Sequence, residues 1–351
     1  MQLELAGWDS HWQQEFDHYR DPQLFPGRVF TYNRQWYSLY TENGELNAEL
    51  AGALLHRSED HDLPVVGDWV VFRRYGELGI IQDVLSRRTK FSRRAAGSPL
   101  REQVMAANID TLFIVCGLDR DFNLRRIERY LAASADSGFS CVIVLNKADL
   151  CSDLSARTCQ VQELAPITPV VALSALDEHT CKTLLPYLPS GKTAALVGSS
   201  GAGKSTIINQ LLGASLQLIQ STRSSDGRGR HTTTQRELFF LPNGALVLDN
   251  PGIRELQLWG DGASLCDAFP DIDELASQCA FRDCSHQGDH GCAVLPALQS
   301  RELSEDRWNN YLKLQRELRY LSLQQDENAR RKEKERWKKL CKAVKRNPKR
   351  I

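Results

Sequence analysis

The residues Gly198-Ser199-Ser200-Gly201-Ala202-Gly203-Lys204-Ser205-Thr206 have the spacing of a loop that closes around phosphate. Glycines let backbone N–H groups turn inward, and a helix starting at the loop's end adds the partial positive charge of its N-terminus. Lys204 is placed to bridge β- and γ-phosphates and Ser205 to ligate Mg2+. Asn146-Lys147-Ala148-Asp149 bears on the base. An aspartate carboxylate accepts two hydrogen bonds from guanine N1–H and its exocyclic amine, a donor pair that adenine lacks. Ser174-Ala175 is expected to hold the base from the other side through backbone N–H groups. Asp249-Asn250-Pro251-Gly252 would put Asp249 near the metal and the Gly252 N–H near the γ-phosphate, so that loss of that phosphate releases the loop.

Between these segments lies Gly229-Arg230-His231-Thr232-Thr233-Thr234, which fits a first switch with Thr233 as a second Mg2+ ligand. Ile253 follows the Asp249–Gly252 loop, and an isoleucine cannot orient water. Slow unaided hydrolysis is therefore expected, with His231 as the local group able to hold a water. The catalytic set expected from the sequence is Lys204, His231 and Thr233. A further cluster, Cys279-x4-Cys284-x-His286-x5-Cys292, offers three thiolates and an imidazole. Four such donors complete a tetrahedral zinc shell with no open position, which is a structural site. Cys266 and His290 stand close enough in sequence to replace a ligand.

These motifs need a frame. Thr111–Cys116, Cys141–Leu145, Val170–Leu173 and Thr193–Val197 are short apolar runs of the kind found in parallel strands covered on both faces, and Leu124–Ser137 has helical periodicity. The nucleotide motifs sit at the ends of these runs, where open α/β sheets bind ligands. Glu237–Leu241 and Ala245–Leu248, joined by Pro242-Asn243-Gly244, read as a hairpin. Upstream, Arg28-Val29-Phe30, Trp36–Tyr40, Val70-Val71-Phe72 and Gly79-Ile80-Ile81 alternate with turn residues, which predicts a small barrel of the OB type. Trp8, Trp12, Phe16 and Tyr19 predict a helix with an aromatic docking face. Arg87–Arg94 is a basic linker that either contacts phosphates or is simply solvated. Downstream, Ser304 is expected to cap a helix carrying Trp308, Tyr311, Leu312, Leu318 and Leu321.

The order of the motifs is unusual. The guanine motifs come first, and the phosphate loop, first switch and Asp249–Gly252 loop follow. A sheet tolerates such a permutation because only the termini move. The fold class expected is multidomain α/β. It comprises a helix and OB-type barrel over residues 1–104, a circularly permuted P-loop GTPase domain over 105–260, a helical zinc-binding module over 261–326 and a basic tail over 327–351. This assembly resembles the circularly permuted small-ribosomal-subunit biogenesis GTPases of the RsgA/YjeQ type. The resemblance runs from about Phe25 to about Tyr320. It is carried also by Val66-Gly67-Asp68-Trp69-Val70 and Ala106-Ala107-Asn108-Ile109-Asp110. It implies an OB fold, nucleotide held by Asn146–Asp149 and Gly198–Thr206, and zinc at Cys279, Cys284, His286 and Cys292. It further implies GTP hydrolysis stimulated by the 30S subunit, and a role in late maturation of that subunit. Asn250 departs from the commoner threonine or serine of the family's loop, and the aromatic N-terminal helix and basic tail lie outside what the resemblance carries.

Composition narrows the classes. The net charge is +0, yet Arg330 to Ile351 holds twelve Lys or Arg against Glu333 and Glu335, leaving +10 there and −10 elsewhere. Such a block suits a polyanion such as 16S rRNA, with Trp337 available to stack on a base, or a solvated tail when unbound. Among the ten cysteines the close three read as metal ligands in a reducing compartment rather than as a disulfide framework. No secretory leader or spanning segment is legible, so a cytoplasmic monomer with no DNA or membrane partner is expected. Two other readings share the motifs: a P-loop ATPase or kinase, against which Asp149 argues, and a nucleotide-sensing RNA-binding protein with incidental turnover.

Overall fold

The computed structural model describes residues 2–33, 36–57, 63–94, 102–213, 237–249 and 263–325. The chain forms two compact units, one holding the barrel and the α/β sheet, the other the helices from Ala263 onward together with Arg93, Arg94 and Glu102. In the first unit, β1 (Leu24–Tyr32), β2 (Tyr37–Thr41), β3 (Gly44–Leu50), β4 (Trp69–Tyr75) and β5 (Leu78–Val84) run in the order β1-β2-β3-β5-β4. The ring closes because β4 returns to β1, pairing Leu24 with Arg73 through Arg28 with Trp69. β1 bends between Val29 and Thr31, which lets one strand serve both neighbours. Five strands in this order, with β3 and β5 parallel, make the OB-type barrel. β3 was not anticipated from the sequence. Asn47 and Glu49 are poor strand formers, but Leu46 and Ala48 alternate into the core and decide the matter.

β6 (Lys90–Arg94) and β7 (Glu102–Ala107) pair as a separate ribbon. The α/β part then adds β8 (Thr111–Gly117), β9 (Ser140–Asn146), β10 (Val170–Ala172), β11 (Thr193–Val197), β12 (Glu237–Phe240) and β13 (Leu246–Asp249). Their order is β10-β9-β8-β11-β13-β12, parallel except for β12. The apolar runs are strands because both faces are covered. Val142 and Val144 of β9 face Ile207, Ile208 and Leu211 of the Lys204–Leu212 helix, while Ile143 and Leu145 face Ile127, Val161 and Leu164 on the opposite side. β12 also pairs with β1, Thr31 opposite Glu237, so the sheet continues into the barrel across the expected boundary at residue 104.

Where one aromatic helix was expected, two short ones form, Gln2–Leu5 and Ser10–Phe16. Gly7 at φ +90 breaks the run, and Asp9 restarts it by accepting N–H bonds from His11 and Trp12. Trp12 is buried, and Trp8 meets Trp69 of β4 edge-on at 4.7 Å. Two arginines of the basic stretch are engaged rather than free. Arg87 grips the buried Asp68 with both ends of its fork, and Arg88 pairs with Asp9 while lying 4.6 Å from the Trp12 ring. Arg28, fully buried, donates to the carbonyls of Ala6, Gly67 and Asn108 and to Thr193 Oγ1, so one guanidinium joins the N-terminus, the barrel and β11. Burial holds its pKa down to about 10, against the pull of Asp110 and Asp68.

The second unit packs Ala263–Ala268, Pro270–Ser277, Val294–Gln299 and Glu305–Gln325 around Phe269, Ile272, Val294 and Leu314. Ser304 caps the last helix by accepting from the Arg307 N–H, as its sequence suggested. Arg307 forks onto Asp271 and covers Phe269 at 4.8 Å.

Candidate functional site

The phosphate-binding loop leaves the C-terminal end of β11 and enters the Lys204–Leu212 helix. Its backbone is possible only with glycine at two crowded points. Gly198, at φ +148, faces the Val115 carbonyl of β8, and Gly203, at φ +97, faces Asn146 so closely that a Cβ would overlap Nδ2. Lys204 folds back over the loop, Nζ donating to the carbonyls of Gly198 at 2.8 Å and Ser199 at 2.7 Å. Ser200, Gly201 and Ser205 are exposed, Thr206 is half-buried, and Ala202 is fully buried beneath the loop.

Asn146 ends β9 and is 1% exposed. Its Nδ2 donates to the Ala202 carbonyl at 2.7 Å, and its Oδ1 accepts from the Ala175 N–H at 2.9 Å. One buried amide thus joins the phosphate loop, the base motif and the Ser174-Ala175 turn. Lys147 adopts a left-handed backbone at φ 63, which starts the Ala148–Leu150 turn and projects Asp149 into solvent. Asp149 has no intramolecular hydrogen bond among the described residues, so its carboxylate is available to a ligand. The Ser174 N–H donates to Thr180 Oγ1 at 3.1 Å. Both N–H groups expected to meet the base therefore have partners within the protein, and Leu176, 79% exposed, carries the next N–H along the chain.

Asp249 closes β13 beside the loop, half-buried. Burial raises its pKa, and the Lys204 ammonium opposes that rise. Gly252, Ile253 and the first-switch residues His231 and Thr233 lie outside the described residues.

Two carboxylates that no motif announced stand at the same place. The turn after β8, Gly117-Leu118-Asp119-Arg120-Asp121, lies beside the same site. Asp119 Oδ2 accepts from Lys147 Nζ at 2.6 Å, and Asp121 Oδ2 accepts from the Ser199 hydroxyl. The Lys147 hydrogen bond holds the Asp119 carboxyl below the usual carboxylate range. The legible signal was position: an Asp-x-Asp at the C-terminal end of a fully buried strand beside the phosphate loop.

In the second unit Cys279, Cys284, His286 and Cys292 place their ligand atoms within 4.8 Å of one another. His286 Nδ1 stands 3.6 Å from Cys279 Sγ and 3.5 Å from Cys292 Sγ. A zinc tetrahedron with bonds of about 2.3 Å has edges of about 3.8 Å, so the donor set fits such an ion. The cage is built locally. His286 takes φ 54, Asp289 Oδ2 accepts from the Ser285 N–H at 2.6 Å and its hydroxyl at 2.7 Å, and the Ala293 N–H points at Cys279 Sγ at 3.4 Å. Trp308 meets the His286 ring edge-on at 5.7 Å. Cys266 and His290, the alternative ligands, are not in the cluster.

Comparison with known proteins agrees with this geometry. The family model described as RsgA GTPase matches residues 84–259. A "Small ribosomal subunit biogenesis GTPase RsgA" of Opitutus terrae is 46% identical, covering 97% of this chain and 96% of the relative. The chain belongs to the RsgA GTPase family. An RsgA of Syntrophotalea carbinolica is 42% identical over 93% of this chain and 92% of its own. The crystal structure of YjeQ from Thermotoga maritima superposes with a TM-score of 0.63 at 25% identity, covering 84% of this chain and 98% of the other. YloQ, titled a circularly permuted GTPase, has the same fold, with a TM-score of 0.61 at 22% identity over 86% and 97%.

As an RsgA-family GTPase the chain hydrolyses GTP, and the permuted order is visible in its sheet. The base motif on β9 precedes the phosphate loop on β11 in sequence, yet β8 alone separates the two strands in space. The Cys/His cluster offers a closed metal shell, a structural element in chemical type. Among the described residues no helix is long and apolar enough to cross a membrane.

Proposed function

We propose that this GTPase hydrolyses GTP to GDP and phosphate on the small ribosomal subunit during its late maturation, with rRNA accelerating turnover. One observation supports the chemical half: Asn146 binds Ala202 and Ala175 together, so the base motif and phosphate loop are tied side by side. The biological half rests on relatives named for small-subunit biogenesis across nearly the whole chain. In this reading Asp149 takes guanine N1–H and the exocyclic amine, with Lys147 and Ala148 shaping the base site beside Ser174 and Ala175. Gly198 to Thr206 wrap the phosphates, Lys204 bridges β and γ, and Ser205, Thr233 and Asp249 are the residues that would hold Mg2+ directly or through water. The Gly252 N–H senses the γ-phosphate, and His231 orients the attacking water in place of the residue at Ile253. Bound Mg2+ would offset charge on the β- and γ-oxygens; the protein's part is to align them. Cys279, Cys284, His286 and Cys292 would hold one zinc ion as a structural centre. The working form is a cytoplasmic monomer whose partners are GTP or GDP and 16S rRNA, with no DNA or membrane.

Multiple-turnover GTP hydrolysis with and without purified 30S subunits tests this. Stimulation that falls as salt rises is expected, because contacts to phosphate release counterions. No stimulation would favour the nucleotide-sensing RNA-binding reading. ATP displacing bound GDP as well as GTP does would end the guanine assignment. In the sharper form, Asp149→Asn should lose GDP and gain xanthosine diphosphate, whose 2-oxo group accepts where guanine donates.

A further inference from the structure

We propose that Asp121 is a positioning residue for the nucleotide phosphates, acting through Ser199, and that the Gly117–Asp121 turn links the phosphate loop to the guanine motif. The inference rests on the guanine-nucleotide reading above and adds to it a part that neither motif contains.

Asp121 has little else to do. The Leu124–Ser134 helix is capped by Asn123, whose Oδ1 accepts from the Arg126 N–H at 3.1 Å. The turn is held by Asp119, whose Oδ1 accepts from the Asp121 N–H at 3.0 Å. Among the described residues the Asp121 carboxylate accepts only from the Ser199 hydroxyl and the Arg126 guanidinium. Ser199 is the first variable residue of the phosphate loop, and its carbonyl is one of the two that receive Lys204 Nζ. Asp121 therefore grips, from outside the loop, the residue against which the phosphate-binding lysine leans.

A carboxylate beside a polyanion site is unfavourable unless its charge is neutralised. Arg126 does this. It pairs with Asp121 and also donates to the Asp121 carbonyl at 3.3 Å. The pair supplies an acceptor for Ser199 with no net negative field. Two residues upstream Asp119 performs the matching task on Lys147, and a Cβ at Gly117 would lie 2.8 Å from Asp119 Oδ1 and push that carboxylate aside. One turn thus touches the base motif at one carboxylate and the phosphate loop at the other.

The test compares wild type with Ser199→Ala, Asp121→Ala, their double variant, Asp121→Asn and Arg126→Ala on the full chain. Each is titrated with GDP, GTP and phosphate-free guanosine. Asp121→Ala and Ser199→Ala are each expected to weaken GDP about tenfold, the weight of one charge-assisted hydrogen bond. The double variant should lose no more than either single one, since both remove one contact. Guanosine affinity should stay put, and Asp121→Asn, which keeps an acceptor, should recover most of the loss. Arg126→Ala exposes the carboxylate and should weaken GTP more than GDP, because GTP carries the extra charge. Additive losses, an equal loss for guanosine, or a folded Asp121→Ala chain with wild-type GDP affinity would overturn the proposal. Wild type binding GDP no better than ADP would instead overturn the guanine reading, and this inference with it.

Discussion

The nucleotide cleft and the Cys/His cage are built on opposite plans. The cleft gathers Asp119, Asn146, Ala175, Ala202 and Asp249 from separate strands and turns, and its central tie, Asn146, is buried. The cage gathers four donors from Cys279 to Cys292, mostly half-exposed, over a small helical core. Hydrophobic strands and hydrogen bonds place every group in the first. In the second, chemistry that an ion would complete stands in for burial. A site assembled by a sheet should survive the loss of any one ligand, whereas a site assembled by its ion should not.

Chelation is the largest test. Structural zinc in small modules supplies on the order of 10 kcal/mol of folding free energy, so chelation should melt the Ala263–Gln325 helices, read as lost ellipticity, while GDP affinity holds. Loss of GDP binding on the same timescale would collapse the distinction. Next comes Arg28→Met. It strands the buried carbonyls of Ala6, Gly67 and Asn108 and should cost the first unit about 3 kcal/mol in denaturant unfolding, leaving the metal module's transition in place. Gly203→Ala forces a Cβ onto Asn146 from a left-handed backbone. Roughly a hundredfold weaker GDP binding is expected, equivalent to about 3 kcal/mol of strain. Asn146→Ala should cost about 2 kcal/mol of stability as well as affinity, because it orphans the Ala202 carbonyl and the Ala175 N–H.

Acid gives the finest separation. Metal-bound thiolates and imidazole must stay deprotonated, so the cage should release its ion as pH falls from about 6 towards 4. Asp119 is different. Its folded pKa lies below its unfolded value of about 3.9, so what it contributes is present above that value and lost only as pH falls through the folded one. GDP binding should therefore outlast the cage, and following both in one acid titration checks the order. Asp9, held low by Arg88 and the Trp12 N–H against the opposing effect of burial, should release the N-terminal helices in the same late window, seen in tryptophan fluorescence.

Much of this was legible beforehand because it is local. Apolar runs four to six residues long, covered on both faces, became β8, β9, β10 and β11, and glycines at fixed spacing became the phosphate loop. The Cys/His spacing likewise closed into one cluster. β3 escaped notice because its residues are weak strand formers whose pairing partners lie elsewhere in the chain. Arg87 and Arg88 looked like a solvent-facing basic run until Asp68 and Asp9 were brought to them by the fold.

From sequence alone came the GTPase class, the permuted order and the four Cys and His residues that cluster, since each depends on residue types at short separation. Tertiary structure alone decided that Asn146 is the tie between motifs, that the Ser174 and Ala175 N–H groups are spent inside the protein, and that Asp119 and Asp121 stand against Lys147 and Ser199. The reason is that hydrogen bonds act over about 3 Å. Which groups come that close across 28 residues, from Asp119 to Lys147, or 78, from Asp121 to Ser199, is set by strand order rather than by sequence spacing.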